Sequence, residues 1–338
     1  MPVTLNAVAA HAGVSTSTAS RALSGHPAVL PDTRRRVAAS AVELGYHPNR
    51  MASALRTRRS GLVGLVVNNL RNATFHVIAE TLQAWGAENG QQVLICTTGG
   101  DPVREAAFLH TVRTHRLDGV VVAGSGANGD LVNGLVGAGC AVVTMNREVP
   151  GARAPSVMSD YATAARLATE HLIALGHTRI AAIEGPPDVT SGRLHHEGFA
   201  GAMADAGLPV DDDLVCRGAF HTTFGVDSTR RMLQLADPPT GLVVTNHEAS
   251  FGVLPVLGEF GIDVPGRLSV VLTEDEPFWG FWSPPLTVVD NRADVLASRA
   301  ADLLLTQLGT GDDNEPEATE DLIAPVLRER GSTAPPPG

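Results

Sequence analysis

The chain has 338 residues, room for a small head and one or two further domains of ordinary size. With 43% hydrophobic and 18% charged residues it is globular in composition, and no apolar run reaches the roughly 18 residues of a membrane span. Net charge is −11 but uneven: residues 1–60 hold eight arginines against Asp32 and Glu43, a charge of +6 that leaves −17 for the remainder.

The stretch VTLNAVAAHAGVSTSTASRAL at 3–23 reads as two short helices joined by a tight turn. Thr4 is a candidate N-cap, and Leu5, Val8 and Ala9 form one apolar stripe. Gly13 breaks the first helix and Ser15 can cap the second. Ala9, Ala12, Gly13 and Ala19 are small enough for the helices to cross closely, which leaves a polar start on the second helix at Ser15, Thr16, Ser17 and Thr18, with Arg21 one turn on. This helix-turn-helix pattern, on a basic head, suits phosphate and base-edge contacts. A helical hairpin that meets no nucleic acid is the plain alternative.

PDTRRRV then predicts a third helix, and YHPNRMASALR at 46–56 a segment of different character. Pro48 favours an extended approach and Asn49 can cap, but Arg50 to Arg56 is shorter than the about 12–15 residues an isolated helix needs, so it should order only when something binds it. Taken together, the 3–23 stretch, the TRRRV turn and YHPNRMASALR resemble the head and hinge of the LacI/GalR (lac-repressor) family of transcriptional regulators. The resemblance implies that Thr4, Ser15, Thr16, Ser17, Thr18 and Arg21 of the head, and Asn49, Arg50, Ala52 and Leu55 of the hinge, meet operator DNA, with Leu55 as the minor-groove wedge. Ala7 and Leu30 stand where that family usually has an acid and a serine cap, which bears on the stability of the head.

From residue 61 short apolar runs alternate with amphipathic stretches: GLVGLVV, QVLIC, DGVVVAG, AVVTM, RIAAIEG, TGLVVTN and LSVVL. Runs of this kind separated by helices predict parallel strands buried on both faces, a doubly wound α/β body. Two successive sets of units predict two subdomains over a cleft, and ligands of open α/β sheets bind beyond the carboxyl ends of the strands. The resemblance implies a periplasmic-binding-protein-like core crossed three times by the chain, near Tyr161, Asp290 and Asp321. The expected organisation is a head over 1–48, a hinge over 49–60, one subdomain from 61–161 with 291–320, the other from 162–290 with 321–330, and a Pro-rich disordered tail over 331–338.

GSGANG at 124–129 matches GxGxxG after a strand, with Glu148 beyond the next strand where a ribose-binding acid would stand. A nicotinamide-dependent oxidoreductase is therefore the alternative function, although the loop lies mid-series rather than in the first βα turn and a Gly-rich surface loop accounts for it. His247-Glu248 opens an HExxH that Phe251 breaks, and Cys96, Cys140 and Cys216 have no metal spacing, so neither a metal nor a cofactor is expected.

Carried over residue by residue, the resemblance places Phe75, Asn146, Arg193, His195, Phe220, Asn246, His247 and Glu274 at the effector. Asn146 and His247 replace acids, and His195 replaces an arginine, which casts doubt on a simple sugar and suggests an anionic metabolite bound by protonated histidine. FWGFW at 278–282 is read as dimer-interface aromatics in preference to a stacking platform. The reading is a cytoplasmic homodimeric repressor that binds pseudo-palindromic double-stranded operator DNA under control of a small molecule, sugar or anionic metabolite. It catalyses no reaction and meets no membrane.

Overall fold

A computed structural model describes residues 3–23, 26, 28–46, 59–310 and 319–337. Contacts divide the chain into Met1–Gly61 and Leu62–Gly338.

The first body is built from α1 (Leu5–His11), α2 (Thr16–Leu23) and α3 (Pro31–Glu43). Thr4 Oγ1 accepts from Ala7 N at 3.4 Å and Ser15 Oγ from Thr18 N at 3.1 Å, satisfying N–H groups that a helix start leaves open. Gly13, at φ +63°, turns the chain between α1 and α2 in a conformation that a side chain would resist. The core is made of small residues: Val8, Ala9, Ala12, Ala19, Ala22, Val37 and Ala41 are all buried. α3 starts at Leu30 without a side-chain cap; Pro31 at its first position needs no N–H partner and eases that loss. Asn49, Arg50, Ala52 and Leu55 lie outside the described residues.

The second body holds two six-stranded sheets. The first contains β1 (Leu62–Val67), β2 (Gln92–Thr97), β3 (Gly119–Ala123), β4 (Ala141–Met145), β5 (Ser156–Ser159) and β11 (Glu320–Ile323), ordered β11-β5-β4-β3-β1-β2 and all parallel. The second contains β6 (Ile180–Glu184), β7 (Val215–Arg217), β8 (Gly241–Val244), β9 (Ser269–Thr273), β10 (Thr287–Asp290) and β12 (Val326–Arg328), ordered β12-β10-β9-β8-β6-β7, with only β12 antiparallel. The first sheet has α4 (Ala73–Glu88) and α11 (Ala293–Thr310) on one face and α5 (Pro102–Thr114) and α6 (Gly129–Val136) on the other. The second has α7 (Tyr161–Ala174) and α8 (Thr190–Asp205) on one face, and α9 (Thr222–Leu233) and α10 (His247–Glu259) on the other. Alternate strand residues serve the two faces: Val63, Leu65 and Val67 meet α4 and α11, and Val66 meets the other side. Among the described residues no helix is long and apolar enough to cross a membrane.

The chain passes between sheets after Ser159, after Asp290 and between Ile323 and Val326. The third passage was expected near Asp321, but that residue pairs with Val157 inside β11 of the first sheet. The tail also departs from expectation. Ser332 is fully buried, its Oγ donates to Val270 O at 2.6 Å, and its carbonyl accepts from Val270 N; Ala334 exchanges hydrogen bonds with Ser269 Oγ. His177 Nε2 lies 2.9 Å from Ala334 O. Composition suggests disorder here, whereas residues 331–334 find partners along the amino ends of β9 and β10.

FWGFW forms a short 3₁₀ turn whose Trp279 is a core residue, packed with Leu254, Leu272 and Leu286. Phe278 and Phe281 point outward, exposed by 53% and 85%. Half of the motif is therefore an internal anchor rather than interface.

Candidate functional site

In the head, Thr4, Ser15, Thr16, Ser17 and Arg21 are exposed and Thr18 is half-buried. Several do local work as well. Ser15 Oγ lies 2.8 Å from Thr18 Oγ1 and 2.9 Å from Ser17 Oγ, and Thr16 Oγ1 donates to Asn6 Oδ1 at 3.1 Å, which ties the start of α2 back to α1. Ser15 and Thr18 thus hold the helix start in place, while Thr16, Ser17 and Arg21 share the exposed surface. In the arginine run, Arg34 donates to His26 O at 2.9 Å and Arg35 pairs with Asp32.

In the second body the carboxyl ends of both sheets meet at a cleft, and direct contacts bridge it. Arg193, in the first turns of α8, makes a two-pronged ion pair to Glu148 at 2.8 Å and also reaches Glu197 at 3.1 Å. Thr190 Oγ1 accepts from Glu148 N at 3.2 Å. On the other side Thr74 Oγ1 donates to Glu274 Oε2 at 3.2 Å, and Asn69 Nδ2 approaches Glu248 Oε1 at 3.5 Å. Arg193 is therefore part of a clasp rather than a free cation.

The remaining expected residues divide. Asn146, at φ +61° and buried after β4, keeps Oδ1 without a partner while its carbonyl accepts from Tyr161 Oη at 3.3 Å. His195 is buried edge-on to Tyr161 with ring centroids 5.0 Å apart, and its Nε2 has no partner. Burial pushes its pKa down to about 3, so it is a neutral imidazole across the physiological range. That removes His195 as a protonated anion-binding group: the ring has no facing carboxylate to offset the loss of water. His247 sits between two acids, Nδ1 at 3.4 Å from Glu274 and Nε2 at 3.1 Å from Glu276 but off hydrogen-bond geometry. Burial raises the Glu274 pKa, with His247 opposing the shift, and the residue holds φ +93°. Asn246 is fully buried and helps hold the scaffold: Oδ1 caps α10 by accepting from Ala249 N at 3.0 Å and Nδ2 donates to Ala219 O at 3.1 Å. Phe220 packs over Gly185, where a Cβ would stand 2.8 Å from its ring. Phe75 packs against the first sheet's core.

The GSGANG loop carries no phosphate cradle. Glu105, almost wholly buried, accepts from Ser125 N, from Ser125 Oγ at 2.9 Å and from Asn128 Nδ2 at 2.8 Å, so a carboxylate of this chain fills the place a phosphate would need. The glycines are explained by packing: a Cβ on Gly124 would collide with that carboxylate, Gly126 has φ +81°, and Gly129 lies against Pro150 O. Glu148, the candidate ribose acid, is taken by Arg193.

Sequence reasoning missed Glu184. Fully buried at the end of β6, it lies 2.9 Å from His196 Nδ1 and 3.4 Å from Arg217 Nε through one oxygen, while Oε1 is unpartnered. Burial raises its pKa to about 8, against the pull of Arg217. An acid ending the apolar run IAAIE was the available signal. Arg147 was missed too; it donates to Ser125 O at 3.3 Å, and burial lowers its pKa. Among the described residues no group of three potential ligands could hold a metal ion.

A helix-turn-helix body on the same chain as a two-sheet body with a polar cleft defines a ligand-responsive DNA-binding regulator. The model of the bacterial regulatory proteins of the lacI family matches residues 4–49, and that of a periplasmic binding protein-like domain matches 169–333. The chain is 34% identical over 337 residues to an uncharacterized HTH-type transcriptional regulator in the aml 5′ region of Streptomyces limosus, covering 97% of this chain and 93% of that protein. It is 29% identical over 347 residues to the ribose operon repressor of Escherichia coli K12, covering 97% and 99%. The lac repressor dimer bound to operator and the anti-inducer ONPF superimposes with a TM-score of 0.83 at 26% identity, covering 99% of this chain and 100% of that one. The chain belongs to the lacI family of bacterial transcriptional regulators. The oxidoreductase alternative finds no support in these relatives or in the loop.

Proposed function

We propose that the chain is a cytoplasmic repressor that binds a pseudo-palindromic operator as a homodimer and changes its grip when a small molecule occupies the cleft, without catalysing a reaction. On this reading Thr16, Ser17 and Arg21 face the operator, Thr4, Ser15 and Thr18 set the helix starts that meet the backbone, and Asn49, Arg50, Ala52 and Leu55 form the hinge contact. The +6 head and −17 body support it, since one surface attracts phosphate and the rest repels it. Coupling between effector and operator in such regulators is typically about 1–3 kcal/mol.

The observation that carries the effector site is a set of buried side-chain polar atoms without partners at or beyond the carboxyl ends of both sheets: oxygens of Asn68 and Asn146 on one and of Glu184, Thr245, Thr273 and Asn291 on the other, with His195 Nε2 and His247 Nε2 beside them. Buried polar atoms without partners are costly, and a ligand that supplies them gains what they lack. Four of these six oxygens are pure acceptors unless Glu184 is protonated. The nearby guanidinium groups of Arg193 and Arg147 are engaged by Glu148 and Ser125, and that of Arg217 donates to Gly192 O and stands 3.4 Å from Glu184 with Nε off hydrogen-bond geometry. The effector is therefore an uncharged, donor-rich molecule of sugar type rather than an anionic metabolite, with Phe75 and Phe220 as its apolar walls. Selection of operators from random DNA with the full chain, followed by a metabolite screen for release, tests the function. Enrichment of a two-fold symmetric site and its release by a neutral polyhydroxylated compound are expected; failure to enrich any sequence would overturn it.

A further inference from the structure

The row of residues that ends the second sheet is polar where everything beneath it is apolar. On the face covered by α7 and α8, β6 presents Ile180 and Ala182, β8 presents Val243 and β9 presents Val271, all in one hydrophobic cluster. Side chains alternate along a strand, so the next residue on that face is Glu184 on β6, Thr245 just past β8 and Thr273 on β9. Register brings them side by side. Ile183 pairs with Val244 and Val244 with Leu272, which sets Glu184 next to Thr245 and Thr245 next to Thr273; Thr245 N donates to Ile183 O, so the pairing continues to that level. Glu184 in turn pairs with Arg217 on the edge strand.

All three are more than nine-tenths buried, with exposures of 0%, 4% and 2%, and each has an oxygen without a partner. They also stand at the point where strand order reverses, because β6 has β7 on one side and β8 on the other. In open α/β sheets that is where ligands enter. The helix above belongs to the cross-cleft clasp: α8 carries Thr190 and Arg193, which hold Glu148, and His196, which reaches down to Glu184.

We propose that Glu184, Thr245 and Thr273 form a specificity-determining subsite on the floor of the cleft, which takes a vicinal diol of an uncharged ligand and excludes a carboxylate or phosphate at that end. This rests on the cleft being the effector site. One oxygen of Glu184 is committed to His196 and Arg217, so a single acceptor faces the ligand. A threonine hydroxyl on the adjacent strand, about 4.8 Å away, can accept or donate, and two such groups match hydroxyls on neighbouring carbons. Arg217 beside Glu184 removes the advantage of a ligand cation, and a ligand anion brought into this buried row would lose its water with Arg217 already paired to Glu184.

The test uses the full chain with its threonine methyl groups labelled for NMR, titrated with ribose, glucose and cellobiose and with the matching acids ribonate, gluconate and cellobionate. At least one neutral sugar is expected to shift the Thr245 and Thr273 methyl signals saturably and to bind at least tenfold tighter than its acid. Thr245→Val and Thr273→Val should each weaken that sugar about tenfold, whereas Thr273→Ser, which keeps the hydroxyl, should hold affinity within threefold. Identical melting curves for the variants separate this from misfolding; a variant that melts early is replaced by its serine counterpart in the comparison with wild type. The proposal is overturned if no sugar moves those methyls, if the acid binds as tightly as the sugar, or if the valine variants stay within twofold, in which case the row is satisfied by bound water only. Release of operator DNA by a compound without a diol would leave the regulatory reading intact and sink the subsite.

Discussion

Replacing Glu105 by alanine tests whether the glycine loop is held by the chain itself. The carboxylate accepts from Ser125 N, Ser125 Oγ and Asn128 Nδ2, and the residue is 1% exposed. Hydrogen bonds to a charged group contribute about 1.5–3 kcal/mol each, and a donor left buried without a partner costs about 1–3 kcal/mol. Water entering the vacated space recovers part of this, so Glu105→Ala should destabilise the body by about 3 kcal/mol, and Glu105→Gln, which still accepts through one oxygen, by about half as much. Urea unfolding followed through Trp85, which packs against the core of the same sheet, measures the loss. A change below about 1 kcal/mol would refute the argument that these bonds hold the loop. Titration of the wild-type chain with NAD should show no binding, because Glu105 already occupies the loop's donors.

Other consequences can be measured separately. Arg21→Ala should weaken specific and random DNA binding alike and lower the slope of log K against log salt by about 0.9, read by fluorescence anisotropy at several salt concentrations. Arg193→Ala removes the clasp to Glu148; because both side chains are more than two-fifths exposed, the pair is worth about 0.2–1 kcal/mol, and effector affinity measured by calorimetry should fall no more than about fivefold. With the His195 pKa near 3, His195→Ala should leave the pH dependence of effector affinity between pH 8 and 6 unchanged, and a variant that flattened a rise on acidification would restore the anion-binding reading. Glu184 has its pKa raised from 4.5 to about 8, so its stabilising contribution is complete below pH 4.5 and is lost as pH rises through 8. Glu184→Gln should therefore gain stability over wild type by a few kcal/mol between pH 5 and 8.5 in urea titrations, and a pH-independent difference would contradict the burial argument.

The elements of this fold were legible because their signals are local. Thr4, Gly13 and Ser15 punctuate the head through bonds made within a turn, and the apolar runs from Leu62 onward read as strands covered on both sides, which holds for β1 but not for the edge strand β2, where Gln92, Leu94 and Thr97 are exposed. What was not legible depends on neighbours distant in sequence. Nothing within HHEGF distinguishes a solvated histidine from one sealed beside Tyr161, and that difference decides whether His195 carries charge. Arg193 looked like an anion-binding group until Glu148, 45 residues away, was found to hold it. The tail looked disordered by composition because its partners are the backbone of Val270 and the hydroxyl of Ser269.

Glu184 shows why the site itself is the hardest part to read. A strand that ends in an acid is common at a surface, where water satisfies the charge, and IAAIE offers no hint that α8 closes over it. Only the register with Arg217, Thr245 and Thr273 converts one polar residue into a polar row, and only burial makes that row costly enough to call for a ligand. A fold tolerates such a cost where function returns it, so the unmet oxygen atoms at the end of this sheet mark the cleft together with the unmet atoms of the family positions Asn146, His195 and His247. Two other family positions, Asn246 and Arg193, turned out to hold the scaffold together.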